Sequence, residues 1–171
     1  MVELLERDAE RAALSAALDE ARAAGRIAVV VGEAGIGKTS LVTAACAGAR
    51  DRRVLWGACD PLITPRPLGP LRDAARDAGG AMLAALEDPA AREAVLATAL
   101  DELAAGAVLV VEDLHWADDA TLDLVALLGR RLPRSRGCLI VTCRPELREE
   151  VRRVLAALPR GSVRKIGRAH V

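Results

Sequence analysis

The sequence predicts an α/β fold in which a parallel β-sheet lies between two layers of helices. Short apolar runs rich in β-branched residues alternate along the chain with longer segments whose apolar residues recur at helical spacing. The apolar runs lack regular polar positions, which is typical of strands buried on both faces of a parallel sheet. We therefore expect a three-layer αβα sandwich.

The first half of the chain begins with an amphipathic helix over 8–24, which Gly25 is expected to end. The apolar run 27–31 follows as the first strand. Four prolines in 61–70 predict an irregular segment, because proline lacks a backbone donor. The other elements expected here are a helix over 39–49, a strand over 54–56 and a helix over 71–78.

The second half continues the alternation and offers two helix start signals. Asp88 suits an N-cap and Pro89 the first helical position, and this helix is expected to end near Gly106. A later helix is expected to take Asp118 or Asp119 as its N-cap. The other expected elements are a helix over 81–86, strands over 107–111 and 138–142, helices over 121–132 and 146–158, and a strand over 162–166.

A glycine-rich motif lies between the first strand and the helix that follows it. Residues 32–39 read Gly-Glu-Ala-Gly-Ile-Gly-Lys-Thr and match GxxxxGK[ST], the P-loop pattern. Such glycines let backbone N–H groups point into one cavity at a helix N-terminus, where phosphate binds. We expect ATP or ADP here, with Lys38 at the β- and γ-phosphates and the Thr39 hydroxyl on Mg²⁺. The expected nucleotide-binding residues are Gly32, Glu33, Ala34, Gly35, Ile36, Gly37, Lys38, Thr39 and Ser40.

An apolar strand that ends in two acids forms a second motif. Residues 108–111 are followed by Glu112 and Asp113, the form known as Walker B. We expect these carboxylates to face the P-loop across the ends of adjacent strands, one holding Mg²⁺ through water and one orienting the attacking water. Both are predicted metal and catalytic residues, and the sequence leaves open which takes which role. A strand that runs into a polar turn is the alternative.

Three further polar or aromatic residues follow strand ends. Arg144 comes after the strand expected beside the P-loop, where an arginine can reach a γ-phosphate, the role called sensor 1. We predict a catalytic role for Arg144, a plain surface arginine being the alternative. His115 and Trp116 follow the two acids, and we expect them to pack rather than to catalyse.

The composition excludes several classes of protein. The 171 residues are 52% hydrophobic and 28% charged, as in a folded domain, and the net charge of zero favours neither nucleic acid nor an anionic membrane as a partner. Because no apolar run approaches the ~18 residues of a membrane span and no leader is recognisable, we expect a cytoplasmic protein. The four cysteines show neither CxxC pairing nor zinc spacing, and we expect buried thiols.

Four segments together resemble one family. They are Leu-Leu-Glu-Arg-Asp at 4–8, the P-loop, Pro-Leu-Ile-Thr-Pro-Arg-Pro-Leu-Gly-Pro at 61–70 and Glu-Asp-Leu-His-Trp-Ala-Asp at 112–118. They look like the ATPase domain of large LuxR-type transcriptional regulators, the MalT-like branch of the STAND and AAA-type ATPases. The resemblance implies that ATP or ADP controls self-association and that a C-terminal helix-turn-helix outside this chain binds DNA. It also places 4–7 near the adenine.

We therefore expect a P-loop NTPase of the AAA-like kind that serves as a slow, Mg²⁺-dependent regulatory switch. One alternative is a P-loop kinase or another AAA-type ATPase that acts on a small molecule or a protein partner. A binding module in which the nucleotide is structural is the other. Phosphate release measured with and without candidate acceptors separates the three.

The last residues of the chain predict a boundary between native sequence and a non-native tail. Ile-Gly-Arg-Ala-His-Val at 166–171 is the translation of ATCGGAAGAGCACACGTC, a common sequencing adapter, and Lys165 fits the preceding bases. We therefore expect 1–164 to be a C-terminally truncated ATPase core and 165–171 to be a non-native tail. Coding DNA that uses other codons there would contradict this expectation.

Overall fold

The computed structural model describes residues 7–64, 66–80, 84, 86 and 92–167. Within them, parallel strands form one sheet in the order β2, β3, β4, β1, β5, which begins with an edge strand and has β4 at its centre. The strands are β1 Arg26–Val31, β2 Val54–Ala58, β3 Val108–Glu112, β4 Cys138–Cys143 and β5 Val163–Ile166.

Helices connect these strands and cover the sheet. In the described ranges they are α1 Asp8–Glu20, α2 Lys38–Gly48, α3 Gly69–Ala78, α4 Arg92–Ala104, α5 Asp119–Arg131 and α6 Glu149–Ala157. A 3₁₀ turn over Leu114–Trp116 follows β3. Among the described residues, no helix has both the length and the apolar character required to cross a bilayer.

Two apolar cores lie on opposite faces of the sheet. Because side chains alternate along a strand, Ile27 and Val29 of β1 join one core while Ala28 and Val30 join the other. The first core contains buried residues of α3, α4, α5 and α6, and the second contains buried residues of α1 and α2. This arrangement confirms the three-layer αβα sandwich with a parallel sheet.

The strand order corrects one expectation. Strand β4 lies between β1 and β3, so the strand that ends in Glu112 is not adjacent to the strand that leads into the P-loop. All six residues of β4 are buried, and this strand pairs with β1 on one side and β3 on the other. Strand order depends on how the crossover helices pack, which the local apolar pattern does not encode.

Several element ends differ from the expected ones. Helix α1 ends at Glu20, because the chain then turns through 21–24 before β1. Helix α3 begins at Gly69, two residues early, because Pro70 is compatible with the first turn of a helix. At the start of α5, the Asp118 carboxylate accepts hydrogen bonds from two backbone N–H groups, which confirms Asp118 as the N-cap.

Some expectations fall wholly or partly outside the described residues. Of the helix expected over 81–86, only residues 84 and 86 are described, and both are helical. The start signal at Asp88 and Pro89, the segment 4–6 and the last four residues, 168–171, lie outside. Lys165 and Ile166 belong to β5 and pair with β1. The adapter origin of 165–171 stays a prediction, which coding DNA tests.

The four cysteines are buried and free, as expected. Burial raises the pKa of Cys46 and Cys143 to about 11, and that of Cys59 and Cys138 to about 12. These thiols are therefore protonated near neutral pH, and they serve as small apolar packing groups.

Candidate functional site

The P-loop bridges the end of β1 and the start of α2 at the carboxyl edge of the sheet. Its first residue continues the pairing of β1 with β4, because the Gly32 N–H donates to the Cys143 carbonyl at 3.1 Å. Gly35 and Gly37 adopt φ values of 73° and 83°, a region that side chains disfavour. Gly37 is also the N-cap of α2 and offers no side-chain acceptor, which leaves the N–H groups of the first helical turn open to an anion.

Lys38 lies inside this loop. Its ammonium donates to the carbonyls of Gly32 and Glu33, each at 2.8 Å, and its side chain is buried. The loop therefore curls around a positive charge at the N-terminus of α2, the positive end of the helix dipole. These residues fit the phosphates of a nucleotide, which require convergent N–H donors and a compact cation. Ser40, the next residue but one, lies exposed in the first turn of α2.

A hydrogen bond joins the P-loop to the acid at the end of β3. The Thr39 hydroxyl donates to Oε1 of Glu112 at 2.6 Å, across 73 positions of sequence. Hydroxyl and carboxylate oxygens are the hard ligands that Mg²⁺ prefers, and so this pair fits the metal. Among the described residues, no cluster of three or more His, Cys, Asp or Glu side chains could hold a metal by itself. Phosphate and water oxygens would complete the coordination, as is usual for Mg²⁺.

Asp113 has different surroundings from Glu112. It leaves β3 with φ of 53°, a left-handed conformation that Asp tolerates better than most residues. Its backbone N–H donates to Oγ1 of Thr142 on β4 at 2.9 Å, which holds this turn. The Asp113 side chain is 48% exposed, whereas Glu112 is buried. One acid is therefore fixed beside Thr39, and the other lies accessible at the mouth of the site.

Arg144 and Trp116 meet above the sheet edge. The Arg144 guanidinium carbon lies 5.8 Å from the centre of the Trp116 ring, which is a cation–π distance. Arg144 follows β4 directly, and Trp116 ends the 3₁₀ turn after β3. Because β4 separates β3 from β1, this places Arg144 between the strand of the acids and the strand of the P-loop.

His115 is buried beside the acids. Neither ring nitrogen has a hydrogen-bond partner within the described part of the chain, and Nδ1 lies 4.0 Å from an Asp113 carboxylate oxygen. Burial lowers the pKa of His115, and the charges of Arg144, Lys38 and Arg148 lower it further, while Asp113 opposes them. The ring is therefore neutral at pH 7, and it packs against Trp116 with 5.2 Å between ring centres.

Three residues that contact the site, Trp56, Arg148 and Thr142, were not predicted from the sequence. The indole N–H of Trp56 donates to Oε2 of Glu112 at 2.9 Å. Arg148 donates to the carbonyls of His115 and Ala117, which ties the 3₁₀ turn to the residue before α6. Thr142 holds the Asp113 turn. The sequence did contain a signal for Trp56. It lies two residues before Ala58, the last residue of β2, and therefore on the same face of the strand, near the edge where the acids were expected.

Comparisons with known proteins bear on the family and the fold. Residues 3–141 match the family model described as AAA ATPase domain. No curated protein matches the sequence significantly. Among solved structures, the Aeropyrum pernix ORC2 protein in ADPNP-ADP complexes is similar with a TM-score of 0.64 at 15% identity, over 94% of this chain and 47% of that one.

A second similar structure is that of Drosophila ORC bound to AT-rich DNA and Cdc6. It gives a TM-score of 0.50 at 16% identity, over 96% of this chain and 60% of that one. This chain thus spans about half the length of the Aeropyrum protein and three fifths of the Drosophila chain. At these identities, the similarity shows a shared fold.

Proposed function

The chain belongs to the AAA ATPase domain family, and from that premise we propose that it is an ATP-binding regulatory switch of a transcriptional regulator, with slow Mg²⁺-dependent hydrolysis. The hydrogen bond between Thr39 and Glu112 carries this proposal. It joins the two motifs whose residue types suit phosphate and metal, although 73 positions separate them in sequence.

The P-loop residues bind the nucleotide in this proposal. The N–H groups at the start of α2 and the Lys38 ammonium take the phosphates, because the helix dipole and the cation both favour negative charge there. Thr39 and Glu112 hold Mg²⁺, which supplies neutralisation of the developing phosphate charge. Glu112 suits the metal role because it is buried against the Thr39 hydroxyl.

Asp113 and Arg144 act on the chemistry itself. The accessible Asp113 carboxylate orients the attacking water and takes up its proton, since a base must reach solvent-derived water at the mouth of the site. Arg144, which stacks on Trp116, contacts the terminal phosphate and stabilises charge there. The sensor role gives the protein a group whose position depends on which nucleotide is bound.

The regulatory context rests on sequence resemblance and on fold. The segment 112–118 resembles the corresponding segment of large LuxR-type regulators, and the Drosophila structure of similar fold is bound to DNA. We propose that the nucleotide state controls self-association of a cytoplasmic protein. Because this chain has no net charge, DNA binding is assigned to a helix-turn-helix outside it.

Release of inorganic phosphate from ATP tests the proposed activity. We expect slow release that requires Mg²⁺ and is independent of added acceptor molecules. Loss of ATP that depends on an added acceptor would instead support a kinase. Tight ATP binding without turnover would support a structural role of the nucleotide. Sequencing the downstream DNA tests the regulatory context, for which a helix-turn-helix in the same reading frame is expected.

A further inference from the structure

We propose that Trp56 is a positioning residue for the Mg²⁺ site, because it fixes the carboxylate of Glu112 so that one oxygen faces Thr39. This inference rests on the proposed function, since it assumes that Glu112 serves the metal. It assigns a role in metal binding to an aromatic side chain of the edge strand β2, which lies outside both sequence motifs.

The carboxylate of Glu112 is held by two donors from different elements. The Thr39 hydroxyl of α2 donates to Oε1 at 2.6 Å, and the Trp56 indole N–H of β2 donates to Oε2 at 2.9 Å. Each bond has an ionised acceptor, which makes it shorter and stronger than a neutral one. Rotation of the carboxylate would break both bonds, and the group is therefore held in one orientation.

The register of the sheet explains how Trp56 reaches Glu112. Trp56 lies level with Val110 of β3, and Ala58 lies level with Glu112. Trp56 packs against the core that contains Val110, on the face covered by α1 and α2. Its ring thus spans an offset of two positions along β3, from the level of Val110 to Glu112, a diagonal distance that an aromatic side chain covers. The apolar body packs on the sheet, while the N–H meets the carboxylate.

The two donors give the two oxygens of the Glu112 carboxylate different roles. An indole N–H only donates, so Trp56 can neither accept a proton nor ligate a metal, and Oε2 stays committed to it. The Thr39 hydroxyl can donate its hydrogen to Oε1 and still offer oxygen lone pairs to Mg²⁺. Trp56 therefore directs Glu112 to act through a single oxygen beside Thr39.

Replacing Trp56 by phenylalanine removes the N–H and keeps an aromatic ring on the strand. Loss of a partner that orients a metal-associated carboxylate weakens metal affinity about tenfold or more. The readout is the dissociation constant of AMPPNP, measured by calorimetry once in Mg²⁺ and once in EDTA. For Trp56→Phe we expect weakening by roughly tenfold in Mg²⁺ and no change in EDTA, because the phosphate contacts of the P-loop are intact.

Val54→Ala is the matched control. Val54 lies on the same strand and packs against the same core, two residues from Trp56. It should lower the unfolding temperature without changing the ratio of the two dissociation constants. Should Trp56→Phe not fold, as judged by circular dichroism, site-specific benzothienylalanine at position 56 replaces only the N–H by sulfur and should give the same tenfold loss.

The outcomes separate this inference from the function on which it rests. If the wild type binds AMPPNP equally in Mg²⁺ and EDTA, or not at all, the proposed metal site itself is wrong. If the wild type depends on Mg²⁺ and Trp56→Phe keeps that dependence within about twofold, the metal site stands and the role of Trp56 is overturned. A ratio that falls equally in Val54→Ala would also overturn it, because the effect would then come from packing.

Discussion

The Thr39 hydroxyl and the Glu112 carboxylate form a 2.6 Å hydrogen bond that links the first turn of α2 to the end of β3. Glu112 is buried there, whereas its neighbour Asp113 turns out of the strand and is half exposed. Two adjacent acids therefore have separate surroundings, and their substitutions should have separate effects.

Glu112→Gln should weaken nucleotide binding that depends on Mg²⁺. The amide keeps the size of the side chain but removes the negative charge beside Thr39, and we expect an increase of about tenfold in the half-saturating Mg²⁺ concentration. Titration of Mg²⁺ at fixed AMPPNP measures it. An unchanged Mg²⁺ requirement would remove Glu112 from the metal site.

Asp113→Asn should leave ATP bound without turnover. The amide cannot take up a proton from water, and general bases contribute factors of about 10²–10⁴ to rate. Single-turnover phosphate release should fall by that range, while the dissociation constant for ATP stays within about twofold of wild type. If hydrolysis continues at the wild-type rate, another group acts as the base.

Arg52 joins three segments at the opposite edge of the sheet from the site. Its guanidinium donates to the carbonyls of Leu18, Gly106 and Arg136, at 2.7, 2.7 and 2.5 Å. Arg52→Met should lower the free energy of unfolding by about 2–4 kcal/mol, because these acceptors lose charged donors. Arg50→Met, at an exposed position nearby, is the control and should change it by less than about 0.5 kcal/mol. If urea unfolding gave the same change for Arg52→Met and Arg50→Met, the hydrogen bonds of Arg52 would not stabilise the fold.

Gly57 on β2 lies directly against the start of α3. A Cβ at this position would lie 1.8 Å from the Pro70 carbonyl oxygen, which belongs to rigid backbone. Gly57→Ala should therefore destabilise the fold by about 1–3 kcal/mol or more. Gly48→Ala, at the end of α2 where a Cβ meets nothing within 4 Å, should instead stabilise by about 0.5–1 kcal/mol. Thermal melts of the two variants that shift in the same direction would contradict this packing.

Much of the fold could be predicted because its signals are local. Strands β1 and β4 contain continuous apolar runs, at 27–31 and 138–141, and Asp118 has the residue type of an N-cap. The P-loop residues were recognisable because the glycines, the lysine and the hydroxyl must follow one another in fixed spacing for a backbone to surround phosphate.

The remaining features depend on contacts between distant residues. The separation of β3 from β1 by β4 follows from crossover packing, which no single segment encodes. The bond from Trp56 to Glu112 spans 56 positions and depends on sheet register. Glu112 and Asp113 have different surroundings because the chain takes a left-handed turn at Asp113. The apolar pattern of β3 does not reveal this turn.

The central claim is that nucleotide binds at the P-loop, and Lys38→Ala tests it most directly. The chain has two lysines, Lys38 inside the loop and Lys165 exposed on β5, so Lys165→Ala removes the same charge from another place. Calorimetric titration with ATP and Mg²⁺ should show affinity lowered about 30-fold or more in Lys38→Ala, equivalent to ~2 kcal/mol, and unchanged in Lys165→Ala. A folded Lys38→Ala protein that binds ATP as tightly as wild type would contradict the claim.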